Sequence, residues 1–159
     1  MLRTGALACV LLFIGTTQAD PPAGDLDPLQ GYWKPLQIEF EGKPQMTAEQ
    51  MKQVTVVIEN AEYHLYFVDR AQSPPAQLKL ALMNLSVDTS TNPRSISFEF
   101  AAGPLKGQKR HGIYEVAGTQ LKICYGPAEK PKPATFAAPA NSGYFFEVWG
   151  KQPTPMKGP

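Results

Sequence analysis

Residues 95–125 have the sequence SISFEFAAGPLKGQKRHGIYEVAGTQLKICY, and their pattern determines the fold class. In the first six residues the side chains alternate, with Ile96, Phe98 and Phe100 on one face and Ser95, Ser97 and Glu99 on the other. A period of two is typical of a β-strand with one buried face. Two further β-type runs follow after a polar loop, so the stretch predicts antiparallel strands joined by short connections.

Over the whole chain, eight runs rich in β-branched and aromatic residues can be counted between Gly, Pro, Asn and Asp. Most connections are too short for a crossover helix, which favours an up-and-down meander. The sequence therefore predicts an all-β protein, an eight-stranded antiparallel β-barrel. The predicted strands are Tyr32–Glu41, Val54–Glu59, Glu62–Val68, Gln77–Asp88, Ser95–Ala101, His111–Val116, Thr119–Tyr125 and Gly143–Gly150.

Two local features refine this prediction. Thr47 and Gln50 have the spacing of a capping box, which indicates one short helical turn before the second strand. Partway along Gln77–Asp88 the apolar residues change from one face of the predicted strand to the other, which predicts a β-bulge near Met83.

The ends of the chain indicate export. Arg3, the apolar run of residues 6–14 and the small residues Thr17 and Ala19 form the pattern of a signal peptide over residues 1–19. We expect cleavage after Ala19 and a periplasmic or extracellular location; a lipid anchor on Cys9 is the competing interpretation. Residues 20–28 are predicted to be a disordered linker, 29–151 the barrel domain and 152–159 a disordered tail.

Charge and composition exclude several classes of partner. The chain has 15 Lys+Arg and 14 Asp+Glu, and Arg3 is the only charged residue of the signal peptide, so the mature chain is formally neutral. Neutrality argues against nucleic-acid binding and against attraction to an anionic membrane. We therefore expect a monomer with no nucleic-acid partner and no stable membrane insertion after signal cleavage.

No catalytic or metal-binding pattern is found in the sequence. The nucleophile-elbow, metalloprotease and phosphate-loop spacings are absent, and the two histidines, His64 and His111, lie on different strands. Cys124 is the single cysteine of the mature chain and alternates with Ile123, which predicts a buried thiol. We expect no catalytic residue, no metal and no cofactor.

Five segments of the chain resemble a known family. They are GYW at residues 31–33, DTSTNPRSISF at 88–98, GIYEVAGTQLKIC at 112–124, KPATF at 132–136 and GYFFEVWGK at 143–151. Together these resemble an exported bacterial lipocalin-like domain family, expanded in planctomycetes, whose members have no assigned function.

The resemblance implies a lipocalin-like barrel outside the cytoplasm and transfers no activity. It also implies that Trp33, after Gly31, closes the barrel floor beneath a basic residue of the last strand, for which Lys151 is the candidate. Ser97, Thr119 and Lys132 depart from the family's usual residues.

Three functions are compatible with such a barrel. The first is non-enzymatic binding of one small, largely apolar molecule, because eight closed strands leave room either for packed side chains or for one small ligand. The second is a solid structural or protein-interaction module of the cell envelope that uses the rim loops 102–109 or 127–139. An enzyme is the third. The expected interior residues, and so the candidate ligand-binding set, are Ile38, Phe40, Val56, Ile58, Leu65, Phe67, Leu80, Phe98, Phe100 and Ile123.

Overall fold

A computed structural model describes residues 23–69, 71–73 and 75–153 of the chain. Within these residues all strands belong to one antiparallel sheet, and the first long strand also pairs with the last. That pairing closes the sheet and confirms the predicted eight-stranded β-barrel. The strands are β1 Gly31–Phe40, β2 Lys43–Pro44, β3 Val54–Glu59, β4 Glu62–Asp69, β5 Ala76–Asp88, β6 Arg94–Phe100, β7 Lys109–Ala117, β8 Gln120–Pro127 and β9 Phe145–Gln152.

The helices are short. They are α1 Ala23–Leu26, a 3-10 turn at Asp27–Leu29, and α2 Ala48–Gln53. α2 is the predicted helical turn, and its capping box is present: the Gln50 amide donates to Thr47 Oγ1 at 3.3 Å and the Thr47 amide donates to Gln50 Oε1 at 2.8 Å. In the part of the chain that the structure describes, no helix is long and apolar enough to cross a membrane.

The two ends of the barrel differ. Turns at residues 60–61, 89–93 and 118–119 close one end, which we call the floor end. The other, which we call the mouth end, has the longer segments 41–53, 101–108 and 128–144. Large side chains near the floor end pack inside the barrel and are buried: Leu29, Trp33, Val56, Ile58, Ile96, Tyr114, Leu121 and Ile123.

The pairing of β1 is uneven. It pairs with β9 along nearly its whole length, from Tyr32↔Gln152 to Phe40↔Phe145. It pairs with β3 only near the floor, from Gly31↔Ile58 to Trp33↔Val56. Towards the mouth the two strands separate, and Lys34 Nζ donates across the gap to the carbonyl oxygens of Val54, at 2.8 Å, and Lys52, at 3.1 Å. α2 lies beside this gap, which we call the β1–β3 seam.

The prediction of a disordered linker at residues 20–28 is wrong for its described part. Residues 23–28 form α1 and most of the 3-10 turn, and Leu26 is buried in the core cluster. The apolar contacts of Leu26 and Leu29 beneath the barrel supply the free energy that orders this segment. At the other terminus Gln152, assigned to a disordered tail, still pairs with Tyr32. The signal peptide and residues 154–159 lie outside the described residues.

The predicted bulge is present in β5 but at a different residue. Leu65 pairs with Ala81 and Tyr66 pairs with Lys79, so Leu80, not Met83, is the extra residue. Leu80 is 55% exposed and does not belong to the barrel interior, contrary to expectation. The reason is that an inserted residue leaves the alternation of its strand and so loses its place on the inner face.

Candidate functional site

The mouth half of the barrel is hollow. It contains a cavity of about 330 Å³, in contrast to the packed floor half. Most of its wall is apolar or aromatic, because inward positions on β1, β3, β4, β5, β6, β8 and β9 carry such residues. The lining side chains are Ile38, Gln45, Met46, Val54, Tyr63, Leu65, Ala81, Met83, Phe98, Phe100, Leu105, Arg110, Tyr125, Phe145, Glu147 and Trp149.

Glu147 provides the carboxyl group at the base of this cavity, and only 7% of its surface is exposed. It lies on β9 between Phe145 and Trp149, so the alternation of the strand directs it inward with them. Tyr125 Oη donates to Glu147 Oε1 at 2.8 Å, and Trp149 Nε1 donates to Oε2 at 2.9 Å. Both donors are neutral, so they orient the carboxyl group without supplying a counter-charge.

Burial determines the protonation of this cluster. It raises the pKa of Glu147 above the ordinary value of 4.5, and the hydrogen bonds from Tyr125 and Trp149 act in the opposite direction. Burial and then the negative charge of Glu147 raise the pKa of the Tyr63 and Tyr125 hydroxyls well above 10.0. Both phenols are therefore neutral hydrogen-bond donors at physiological pH.

Aromatic rings form a continuous wall from this carboxyl group to the mouth. The Tyr63 and Phe98 centroids are 5.5 Å apart, and Phe98 lies 5.5 Å from Tyr125. Tyr125 stacks on Phe145 at 5.3 Å, and Phe145 lies 4.6 Å from Phe40. These separations are those of favourable aromatic pairs, so the wall is fixed by its own contacts.

Arg110 is the other charged residue of the lining. Its guanidinium carbon lies 5.9 Å from the centroid of Phe100, near the loop that carries Leu105. None of the ion pairs among the described residues joins Arg110 to Glu147. The two charges are thus separate features of one cavity.

The structure divides the ten expected interior residues into groups. Ile38, Leu65, Phe98 and Phe100 line the cavity. Val56, Ile58 and Ile123 are buried but lie in the packed floor half, below the cavity. Phe40 and Phe67 are partly buried near the mouth without lining the cavity, and Leu80 is on the surface as described above.

The expected contact at the floor is present. Trp33 is fully buried, its Nε1 donates to the Leu29 carbonyl oxygen at 2.8 Å, and Lys151 Nζ lies 5.3 Å from the centroid of its rings. Gly31 has a φ of +117°, and a Cβ there would lie 3.4 Å from the Lys151 side chain. Glycine thus provides both the backbone conformation and the room for this lysine.

Neither the histidines nor the cysteine join the cavity. His64 Nε2 lies 2.9 Å from Glu62 Oε2, and His111 Nε2 lies 2.6 Å from the Lys130 carbonyl oxygen, where it holds the loop after β8. Cys124 is a buried free thiol, as expected, and burial raises its pKa to about 11. Within the described residues there is no group of three or more His, Cys, Asp or Glu side chains that could hold a metal ion.

Sequence reasoning missed the polar residues of the cavity, chiefly Tyr63, Arg110, Tyr125 and Glu147. Their signal was available in part: Phe145, Glu147, Trp149 and Lys151 share one parity on the last strand. Because alternate residues of a strand share one face, an inward Trp149 implies that the carboxylate of Glu147 also lies on the inner face.

Fold and site together define the class as a small closed β-barrel with one mainly apolar cavity at its mouth and a buried carboxyl group at the base. Comparisons with family models, with curated proteins and with solved structures found no match. The functional assignment therefore rests on the geometry of the cavity.

Proposed function

We propose that this protein is an extracytoplasmic, non-enzymatic binding protein that holds one small, largely apolar molecule in the mouth half of its barrel. The observation that carries the proposal is the cavity of about 330 Å³ with its apolar and aromatic wall. Ligand pockets typically have volumes of about 300–1,000 Å³ and combine an apolar lining with a few convergent polar groups. A cavity at the low end of that range suits a ligand of few non-hydrogen atoms.

The same cavity favours binding over the alternative of a solid interaction module. Large aromatic residues at every inward position would have sealed the barrel. Ala81 is small, however, and Phe100 and Phe145 line the walls and leave space between them. The buried side chains of the floor half support the fold, while the mouth half keeps a volume that a purely structural barrel does not require.

Fluorescence titration tests the binding proposal. We expect N-phenyl-1-naphthylamine, an apolar dye that is neutral at physiological pH, to bind with saturation at about one molecule per chain. Ala81→Trp and Met83→Trp place an indole in the cavity and should abolish binding while the circular dichroism spectrum stays unchanged. Ser97→Trp, at an exposed position on the outer face, is the matched control and should bind normally. Absence of saturable binding by the wild-type protein, or binding unaffected by both cavity variants, contradicts the proposal.

The extracytoplasmic part of the proposal rests on the signal-peptide pattern of residues 1–19 and on the family resemblance. Expression of the full chain in a bacterial host should yield exported protein with Asp20 at its N-terminus, as read by N-terminal sequencing. An intact Met1, or a lipid on Cys9, is the contrary result.

A further inference from the structure

We propose that the cavity selects a small organic cation, an alkyl or arylalkyl amine, whose ammonium group contacts Glu147 and whose apolar body packs against the aromatic wall. This inference rests on the proposed binding function and adds the chemical class of the ligand.

The buried carboxyl group is the first reason. Glu147 has 7% of its surface exposed and lines the cavity, and it makes no ion pair with any described residue. A buried ionised carboxylate is costly unless a counter-charge accompanies it. Tyr125 and Trp149 each donate one hydrogen bond, which leaves lone pairs on both oxygens unused. An ammonium group supplies both the missing charge and the missing donors.

The rings around Glu147 are the second reason. Tyr63, Phe98, Tyr125 and Trp149 all line the base of the cavity with it. The face of an aromatic ring attracts a cation within about 6 Å, and aromatic cages are a known means of holding ammonium ligands. Several rings combined with one carboxylate therefore favour a cation over a neutral or anionic group at this point of the cavity.

Arg110 provides the competing possibility, an anionic ligand. Its guanidinium group already lies over the Phe100 ring, and it is only partly buried, so solvent and the ring both stabilise its charge. Glu147 is more deeply buried and has only neutral partners. An opposite charge on the ligand therefore stabilises Glu147 more than it stabilises Arg110.

Three ligands of equal chain length test the proposal: octylamine, octan-1-ol and octanoate, each titrated by calorimetry near pH 7.5, where the amine is protonated because alkylamines have pKa values near that of lysine, about 10.4. We expect octylamine to bind at least about tenfold more tightly than octan-1-ol, the gain typical of a hydrogen bond to a charged group. Octanoate should bind most weakly.

Glu147→Gln keeps the size and shape of the side chain and removes its charge. In this variant the affinity for octylamine should fall to that for octan-1-ol, with octan-1-ol binding retained. Glu99→Gln, on the outer face of β6 where Glu99 pairs with Lys109, makes the same change in net charge and should leave all three affinities unchanged.

The outcomes separate this inference from the binding function. If wild-type protein binds octan-1-ol as tightly as octylamine, or prefers octanoate, the cation proposal is overturned while ligand binding stands. If none of the three ligands nor the neutral dye binds, the binding function itself is overturned. If Glu147→Gln does not fold, Glu147→Asp, which keeps the charge on a shorter side chain, should still prefer octylamine to octan-1-ol; loss of that preference in a folded Glu147→Asp protein contradicts the assignment of the ammonium to this carboxylate.

Discussion

Trp33 joins the N-terminal segment, the first strand and the last strand at the barrel floor. It is fully buried, donates to the Leu29 carbonyl oxygen and lies beneath Lys151. Trp33→Ala should lower the free energy of unfolding by about 3–5 kcal/mol, measured by urea denaturation, because a packed floor cannot collapse into the space of the ring. Lys151→Met keeps the aliphatic cover and removes the charge, at a cost of about 0.5–2 kcal/mol. A loss below about 1 kcal/mol for Trp33→Ala contradicts its anchoring role.

Glu147 gives the protein a specific dependence of stability on pH. Because burial raises its pKa in the folded state above the ordinary 4.5, the folded protein retains a proton that the unfolded chain releases. The contribution of Glu147 to the free energy of unfolding should therefore fall as the pH rises above 4.5. Tyr63 and Tyr125, the titratable groups beside it, stay protonated over this range.

The matched measurement compares wild-type protein with Glu147→Gln in urea melts at pH values on both sides of the ordinary glutamate value. The stability of the wild type relative to the variant should decrease as the pH rises, since the glutamine side chain of the variant does not titrate. A constant difference between the two proteins across this range shows that the carboxyl group is solvated or compensated by a charge.

At the residue level the sequence predicts the face on which a side chain lies more readily than its height along the barrel axis. Ile38, Phe98 and Ile58 were all expected inside, and all are buried. Only the first two reach the cavity, because height depends on strand stagger and on the register of pairing, neither of which alternation encodes. Glu147 was missed because carboxylates are rarely buried in proteins. That general tendency outweighed the alternation along β9, which places Glu147 on the inner face.

At the level of elements, strand positions were predictable and irregularities were not. The eight predicted strands correspond to the eight strands of the barrel within a few residues, because alternation and turn residues are local signals. The bulge at Leu80 depends on which residue of β4 is opposite, and that is a property of the pair of strands. The helical segment at residues 23–28 likewise owes its order to contacts with the barrel and has no local pattern of its own.

Gly112 is the glycine, among those described, at which an added Cβ would make the shortest contact. A Cβ at this position would lie 2.1 Å from the Cys124 carbonyl oxygen and 2.7 Å from Tyr125 Cβ. Gly112→Ala should therefore cost about 1–3 kcal/mol or more through overpacking against β8. Gly150→Ala is the matched control, since its Cβ would lie 3.4 Å from Leu36, an ordinary contact, and should change stability by less than about 1 kcal/mol. Equal effects of the two substitutions in thermal denaturation contradict the close approach.

At the level of the whole molecule, the packed core and the proposed binding cavity occupy different halves of one barrel. The floor half holds many of the fully buried side chains, including Trp33 and Ile123. The mouth half contains the cavity, the buried carboxyl group and the longer loops. A packed floor stabilises the closed sheet, so the mouth half can keep an unfilled volume and a buried carboxyl group that by themselves lower stability.

The β1–β3 seam should be the first part of this barrel to open. Between Trp33, where its pairing with β3 ends, and Glu39, where its pairing with β2 begins, β1 has no strand partner on this side, and α2, none of whose residues is buried, lies beside the gap. β7 and β8, by contrast, pair without interruption from Arg110↔Pro127 to Ala117↔Gln120. Local opening requires the least free energy where few apolar contacts and few ladder hydrogen bonds must be broken.

Amide hydrogen exchange followed by mass spectrometry should therefore show residues 45–53 exchanging much faster than residues 110–125. Octylamine at saturating concentration should slow exchange in residues 45–53, because Gln45 and Met46 line the cavity. Equal protection of the two segments shows that the seam is as stable as the rest of the sheet and that the barrel opens only by global unfolding.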